Sequence, residues 1–432
     1  MRVHDFAAVG IGPFNLGLAC LTADLSDVDG IFLEQRDGFD WHPGLMIPGA
    51  TIQVPFLADL VTLADPTSRF SFLNYLKQTG RLYRFYIREN FYPLRAEYNE
   101  YCRWAAAQLP ALRFGSRVER VDYDQEQQVY ALRVLSAGAA RTVYARKLVL
   151  GIGTAPHVPA ALRDLPGPLV HSADYLPAKP RLQGLDSITI VGSGQSAAEI
   201  YLDLLAGAEE HGYHLTWITR APRFFPMEYA KLTLEMTSPD YIRYHHGLPA
   251  ATRNRLAREQ RGLYKGISGD LVNTIFDTLY EQDLTGPVPT TLRAGTEVTG
   301  AHFDGERFTL DLHHREQDRS FAAETQGLVL ATGYAPRVPG FLAPVRDRIR
   351  WDDRGRYAVS LDYAVDVAGD EIFVQNAEEH THSLTAPDLG MGAYRNSVII
   401  RALTGHAVYP VEERIAFQEF GAPARTFAEV AR

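Results

Sequence analysis

At 432 residues, with 46% hydrophobic and 22% charged side chains, the chain has a globular composition and is too long for one ordinary core, so two or three domains are expected. A net charge of −9 disfavours nucleic acid or an anionic membrane as the main partner and suits a cationic small molecule better. Two cysteines, Cys20 and Cys102, cannot build a disulfide framework or a four-thiolate metal site, and the lack of a C-x-x-C pair counts against dithiol reductases.

Met1 to Phe6 lacks the charged and apolar regions of a secretory leader, and no stretch reaches the ~20 apolar residues of a membrane span, so the cytoplasm is the expected compartment. Phe6 to Val9 is an apolar run ending in Gly-x-Gly. A helical stretch from Leu16 to Leu21 and a second apolar run, Ile31 to Glu34, complete a β–α–β opening. Residues 41–85, rich in aromatic, Pro and small polar residues, read as an irregular, site-forming segment with a helix near Phe70 to Lys77. Glu97 to Gln108 has helical spacing; Leu112 to Val121 and Val129 to Leu135 read as strands, and Lys147 to Leu150 runs into Gly151-Ile-Gly153. The Pro-rich stretch from Pro156 to Pro180 is the best linker candidate. A second β–α–β unit begins at Ile188, and residues 227–285 have helical spacing with no evident strand. Strand-like runs resume at 297–312 and at Leu328 to Leu330, and the tail after Leu389 reads as helix to about Leu403.

Two segments carry phosphate-binding chemistry. Gly10-Ile-Gly12-Pro13-Phe14-Asn15 follows a strand and opens a helix, so glycines let backbone approach a pyrophosphate while the helix N-terminus offers free N–H groups. Glu34, at the end of the next strand, is placed to accept from a ribose hydroxyl. Gly192-Ser-Gly194-Gln195-Ser196-Ala197 repeats the arrangement, but here the following strand ends in Arg220, with Arg223 beyond it. Arginine there favours the 2′-phosphate of NADP over the ribose of NAD. Two dinucleotides in one chain point to hydride transfer from a nicotinamide to a flavin, so FAD and NADPH are the expected cofactors. Ala331-Thr332-Gly333-Tyr334, after an apolar run, fits the turn that returns the chain to the flavin domain.

The ordered set of segments Gly10–Gly17, Trp41-His-Pro-Gly44, Asp65-Pro-Thr-Ser68 with Phe72-Leu-Asn-Tyr75, Gly192–Glu199 and Ala331–Tyr334 resembles the microbial N-hydroxylating flavin monooxygenases. These are the lysine and ornithine N-monooxygenases of hydroxamate siderophore biosynthesis and their diamine-using relatives. The resemblance implies an α/β fold with two Rossmann-like domains. FAD would take residues 1–165 and 335–432, NADPH 166–226 and 286–334, and a small helical substrate-side element 227–285. It implies that NADPH reduces FAD, that O2 adds to give a C4a-hydroperoxyflavin, and that a neutral amine attacks the distal oxygen. By the same resemblance Trp41, His42 and Gln53 lie against the flavin, with Gln53 close to the reacting amine, and the chain forms a homo-oligomer, a tetramer or dimer.

Departures from the family pattern bear on the amine. Ala58 stands where the amino-acid enzymes have a lysine for the substrate's α-carboxylate, Leu234 where they tend to have an amide or acid, and Gly390 where relatives have serine. Three lost polar groups point to a diamine such as cadaverine or putrescine. Glu378, Glu379 and Asp388, in a region bordering the substrate in relatives, are candidates for its distal ammonium; as solvated loop acids they would do nothing. The rivals are a lysine or ornithine N-monooxygenase, a Baeyer–Villiger or sulfur-oxidising flavoprotein, and a non-catalytic flavin or NADP sensor. His380 and His382 lack a third ligand of recognised spacing, so no metal is expected, and His245-His246 reads as exposed helix surface.

Overall fold

The computed structural model describes residues 2–423. The run Val3–Val9 lies between two parallel partners, Gly30–Leu33 and the second half of Ala139–Leu150. A strand with neighbours on both edges and side chains packed on both faces has no reason to alternate, which is why Phe6-Ala-Ala-Val9 is continuously apolar and buried. Leu112–Arg113 extends this sheet beyond Gly30–Leu33, and Ile372–Val374 adds a parallel strand beside Leu148, Val149 and Leu150. The first half of Ala139–Leu150 pairs antiparallel with Val129–Ser136, which pairs with Ser116–Asp124. The strand expected at Leu112 to Val121 is in fact interrupted, because Gly115 at φ +58° turns the chain before Ser116.

The second body is a five-stranded parallel sheet in the order Thr290–Arg293, His214–Ile218, Ser187–Val191, Gly327–Leu330, Leu169–His171. Beside it stands a three-stranded antiparallel sheet of Thr296–Phe303, Phe308–His314 and Arg319–Thr325. The stretch Pro156 to Pro180, read as linker, is more structured than that. It contains the edge strand Leu169–His171 and the helix Tyr175–Leu182, which tolerates Pro180 near its end. The two crossings between the bodies, Thr154–Pro156 and Tyr334–Pro336, pair antiparallel with each other.

Helices of the 227–285 stretch divide between the bodies. Pro239–Gly247 and Ala250–Glu259 pack against Glu379–His382, whereas Gly269–Asp283 packs on the helix Gln195–Leu205. His245 and His246 are consequently not exposed surface: His245 is 1% exposed and bonds the Thr381 carbonyl at 3.0 Å, and His246 bonds that of Val359 at 3.0 Å. Among the described residues no helix is long and apolar enough to cross a membrane, and no group of three His, Cys, Asp or Glu could hold a metal ion.

Candidate active site

The first glycine turn is shaped by close backbone approach. Gly10 adopts φ +89°, and a Cβ there would lie 2.4 Å from the Gly151 carbonyl oxygen, so no other residue fits. Gly12, by contrast, faces open space and is the N-cap of Pro13–Thr22. Proline in the first turn gives up an N–H that has no helical acceptor anyway, and no side chain caps the remaining ones. That is the donor set a pyrophosphate needs. Glu34 closes the turn by accepting from the Ile11 N–H at 2.8 Å. Asn15 does something other than touch a cofactor with its side chain. It is 1% exposed, its Nδ2 donates to the Gly10 carbonyl at 2.7 Å, and its Oδ1 accepts from Gln375 at 2.6 Å.

The second turn repeats the construction. A Cβ on Gly192 would meet the Ala331 carbonyl oxygen at 2.3 Å, and Gly194 is the uncapped N-cap of Gln195–Leu205. Ser196 lies in the first turn of that helix, half-buried. Gln195 is spent internally, donating to Glu199 at 3.0 Å and accepting from the Ser268 N–H at 2.8 Å. Arg220, just beyond His214–Ile218, is exposed and has no carboxylate partner among the described residues, leaving its guanidinium free for an anion.

Between the turns lies an aromatic junction. The Trp41 ring is 5.0 Å from that of His42 and 5.3 Å from Tyr98, and Tyr334 lies 5.6 Å from His42 and 5.3 Å from His171. His42 is held at φ +51°, a left-handed conformation that costs an ordinary residue about 1 kcal/mol and turns the chain from Trp41 into Pro43–Leu45. Burial, with Arg95 and Arg36 adding to it, pushes the His42 pKa down to about 4, so its imidazole is neutral near pH 7. Gln53 is half-buried and donates to the Thr51 carbonyl at 2.9 Å, leaving its own carbonyl free. Thr332 donates to the His157 carbonyl at 2.5 Å, and the Gly333 carbonyl, at φ +84°, takes His171 at 3.1 Å. These two residues tie the crossings together.

The three candidate acids have three different fates. Glu378 is 0% exposed and pairs with Arg395 at 3.0 Å, a residue itself 1% exposed; burial pushes the carboxyl pKa up and Arg395 pulls against that. Glu379 takes Lys265 at 2.6 Å and the Tyr264 hydroxyl at 2.7 Å. Glu378 is therefore buried and occupied, and Glu379, its side chain 36% exposed, is committed through Oε1 to Lys265 and Tyr264. Asp388 has no ion-pair partner among the described residues. Its Oδ1 accepts from the Gly390 N–H at 2.7 Å, and burial raises its pKa. A Cβ built on Gly390 would lie 3.1 Å from that same oxygen and 3.7 Å from the Ala58 Cβ. Ala58, Asp388 and Gly390 thus form one wall. Gly392, two residues on, packs toward Phe14 of the first turn's helix, where a Cβ would come within 3.1 Å of the ring. Leu234 is 46% exposed at the end of the short helix Lys231–Leu234.

Motif reading missed Arg95, Glu199, Gln375 and Arg395, all of them buried polar groups. Glu199 alone left a signal, as a charge inside the otherwise apolar Ala197-Ala-Glu-Ile-Tyr201.

Residues 2–336 match the model of the L-lysine 6-monooxygenase/L-ornithine 5-monooxygenase family. The chain is 48% identical over 420 residues to a putrescine N-hydroxylase from Shewanella oneidensis, covering 97% of this chain and 84% of the relative. It is 51% identical over 427 residues to an alcaligin biosynthesis enzyme from Bordetella pertussis, covering 98% and 93%. A crystal structure of an FAD-bound cadaverine monooxygenase of the desferrioxamine pathway, from Erwinia amylovora, superposes with a TM-score of 0.97 at 50% identity, covering 99% and 100%.

Proposed function

Since this chain belongs to the L-lysine 6-monooxygenase/L-ornithine 5-monooxygenase family, we infer that it N-hydroxylates a primary amine with FAD, NADPH and O2, and that the amine is a diamine such as cadaverine or putrescine. The overall balance is amine, O2, NADPH and a proton giving hydroxylamine, NADP+ and water. Bound FAD, reduced by NADPH, supplies the activation of O2 and the transfer of one oxygen atom to nitrogen.

The protein's own groups bind, orient and exclude water. The uncapped helix starts at Gly12 and Gly194 hold the two pyrophosphates, Glu34 the FAD ribose and Arg220 the NADPH 2′-phosphate. Trp41 and His42 form the face against the flavin ring, and the free carbonyl of Gln53 orients the amine that reacts. A free alkylammonium titrates near ~10.4, so the reacting end must give up its proton on binding, and a dry, apolar site favours that neutral form.

The substrate class rests on the wall of Ala58, Asp388 and Gly390: one carboxylate with no ion-pair partner among the described residues, fixed by the Gly390 N–H, while the nearby Arg395 is committed to Glu378. Such a wall attracts a second ammonium and repels an α-carboxylate. The names of the putrescine- and cadaverine-using relatives support the same reading, and those of the alcaligin and desferrioxamine relatives support a role in hydroxamate siderophore assembly.

The paired crossings at 154–156 and 334–336 support an FAD domain and an NADPH domain with the first boundary near 156 rather than 165, since Leu162 packs with Ile218 and Leu328, and with the helices of 227–285 divided between the two. The lack of a long apolar helix among the described residues is compatible with a cytoplasmic enzyme. Phe276, Tyr280 and Leu284, spaced one turn apart and 64–74% exposed, support a homo-oligomer, which light scattering tests. The test of function is hydroxylamine formation with cadaverine, putrescine, L-lysine and L-ornithine side by side. Preference for the diamines is expected; preference for L-lysine or L-ornithine overturns the substrate class and leaves the family chemistry.

A further inference from the structure

Arg95 opens the helix Arg95–Ala106 of the first body and is 8% exposed. Its two terminal nitrogens grip Glu199 in a fork, at 2.8 Å to Oε2 and 2.7 Å to Oε1, and one of them also donates to the Leu45 carbonyl at 2.7 Å. Glu199 is 6% exposed and sits on Gln195–Leu205, the helix that starts at the second glycine turn. From Glu199 the network continues through Gln195 to the Ser268 N–H at the start of Gly269–Asp283.

Leu45 follows closely on Trp41 and His42. Leu45 and Ile47 are buried in the core of the second body, and a Cβ on Gly44 would lie 1.8 Å from the Ala173 carbonyl oxygen. One guanidinium therefore ties together a helix of the first body, the segment carrying the aromatic junction, and the helix of the second nucleotide turn. Stability alone does not call for this device. Well-packed apolar residues in place of a buried ion pair are commonly as stable or more so, whereas a planar bidentate fork fixes direction as well as distance.

We propose that the Arg95–Glu199 pair positions the second nucleotide turn against the Trp41–His42 junction, and so sets the register in which nicotinamide meets flavin. The proposal rests on the FAD and NADPH assignment above. Arg95 and Glu199 are positioning residues, acting through Leu45 and Gln195 on groups that hold the cofactors.

The test compares FAD-loaded wild-type protein with an Arg95→Met/Glu199→Met double variant, which removes both charges and leaves neither unpaired. The double variant is expected to keep its FAD and to melt within a few degrees of wild type. Its limiting rate of anaerobic flavin reduction by NADPH is expected to fall at least tenfold, with the Kd for NADPH changed less than twofold. Amide hydrogen exchange, read with and without FAD, should quicken in residues 43–50 and 195–205 together. A wild-type limiting rate, or unchanged exchange in both segments, overturns the proposal. Should the double variant not fold, Arg95→Lys keeps the charge and loses the fork; the same drop in limiting rate is expected, and a wild-type rate there overturns the proposal equally. If the wild-type protein takes up no FAD or is not reduced by NADPH, the cofactor assignment fails instead, and that failure is seen before any variant is made.

Discussion

Asp388→Asn isolates the charge of the proposed ammonium site while leaving its shape. The asparagine carbonyl can still accept from the Gly390 N–H, now at 2.7 Å, so the turn into Gly392–Thr404 is kept. What disappears is a charge-assisted contact to a second ammonium. Hydrogen bonds to charged groups contribute about 1.5–3 kcal/mol, so about 2 kcal/mol is the figure within that range. That corresponds to a rise of about 30-fold in KM for cadaverine or putrescine. The assay is initial-rate hydroxylamine formation, with pentylamine as a control that has no distal ammonium and whose KM should not rise. Burial holds the Asp388 pKa above its ordinary value, so its carboxylate is lost as pH falls through that raised value. The ratio of diamine KM between variant and wild type should therefore shrink toward low pH. A diamine KM within twofold of wild type at pH 8 would refute the assignment of Asp388.

Ala58→Lys should place an ammonium against Asp388 and raise diamine KM by at least tenfold; combined with Asp388→Asn it should let L-lysine or L-ornithine compete, read by the same assay. Glu378→Gln should cost about 3 kcal/mol in urea unfolding, because it strands the buried Arg395, with diamine KM nearly unchanged. Arg220→Gln should raise the KM for NADPH by about tenfold and leave that for NADH within twofold, since only the 2′-phosphate contact is lost. His382 is 0% exposed and burial pushes its pKa down to about 3, against ~6.5 when unfolded. The unfolded chain then binds the proton first, so this contribution is fully present above pH ~6.5 and is lost as pH falls toward 3. The slope is at most about 1.4 kcal/mol per pH unit, and His382→Gln should flatten it in denaturation curves measured from pH 7 to 4.

Both nucleotide turns were legible because their chemistry is local: a strand, two glycines and a helix start lie within a few residues, and the backbone itself binds. Side-chain roles inside those same motifs were less so. Asn15 and Gln195 stand where a ligand contact is expected, yet each faces inward, and helix position alone does not reveal which partner a side chain meets. The acids show the same limit. Glu378, Glu379 and Asp388 look alike in sequence, and only the arrival of Arg395 and Lys265 from distant elements separates the two paired ones from the unpaired one. His245 and His246 were misread for that reason too, since their acceptors, the Thr381 and Val359 carbonyls, are more than a hundred residues away. Ala58 was informative as an absence, and its proximity to Asp388 and Gly390 turned three separate departures into two that share a wall, with Leu234 on an exposed helix end.

The crossings at Thr154–Pro156 and Tyr334–Pro336 lie side by side, stitched by Thr332 to the His157 carbonyl and by the His157 N–H to Gly333. The chain between them leaves the first body and returns to it at nearly one point, the geometry of an inserted cassette, except that Pro239–Gly247 and Ala250–Glu259 fold back onto the first body. A segment with adjacent ends can be exchanged for its counterpart from a relative without stretching the recipient, so the electron-donor preference of such an enzyme is transferable apart from its oxygenating half. Besides those two helices, the segment at 43–50 breaks the division, since its Leu45 and Ile47 belong to the recipient's chain but to the cassette's core. A transplant that matches the crossings and ignores that plug will leave a cavity where two aliphatic side chains should be.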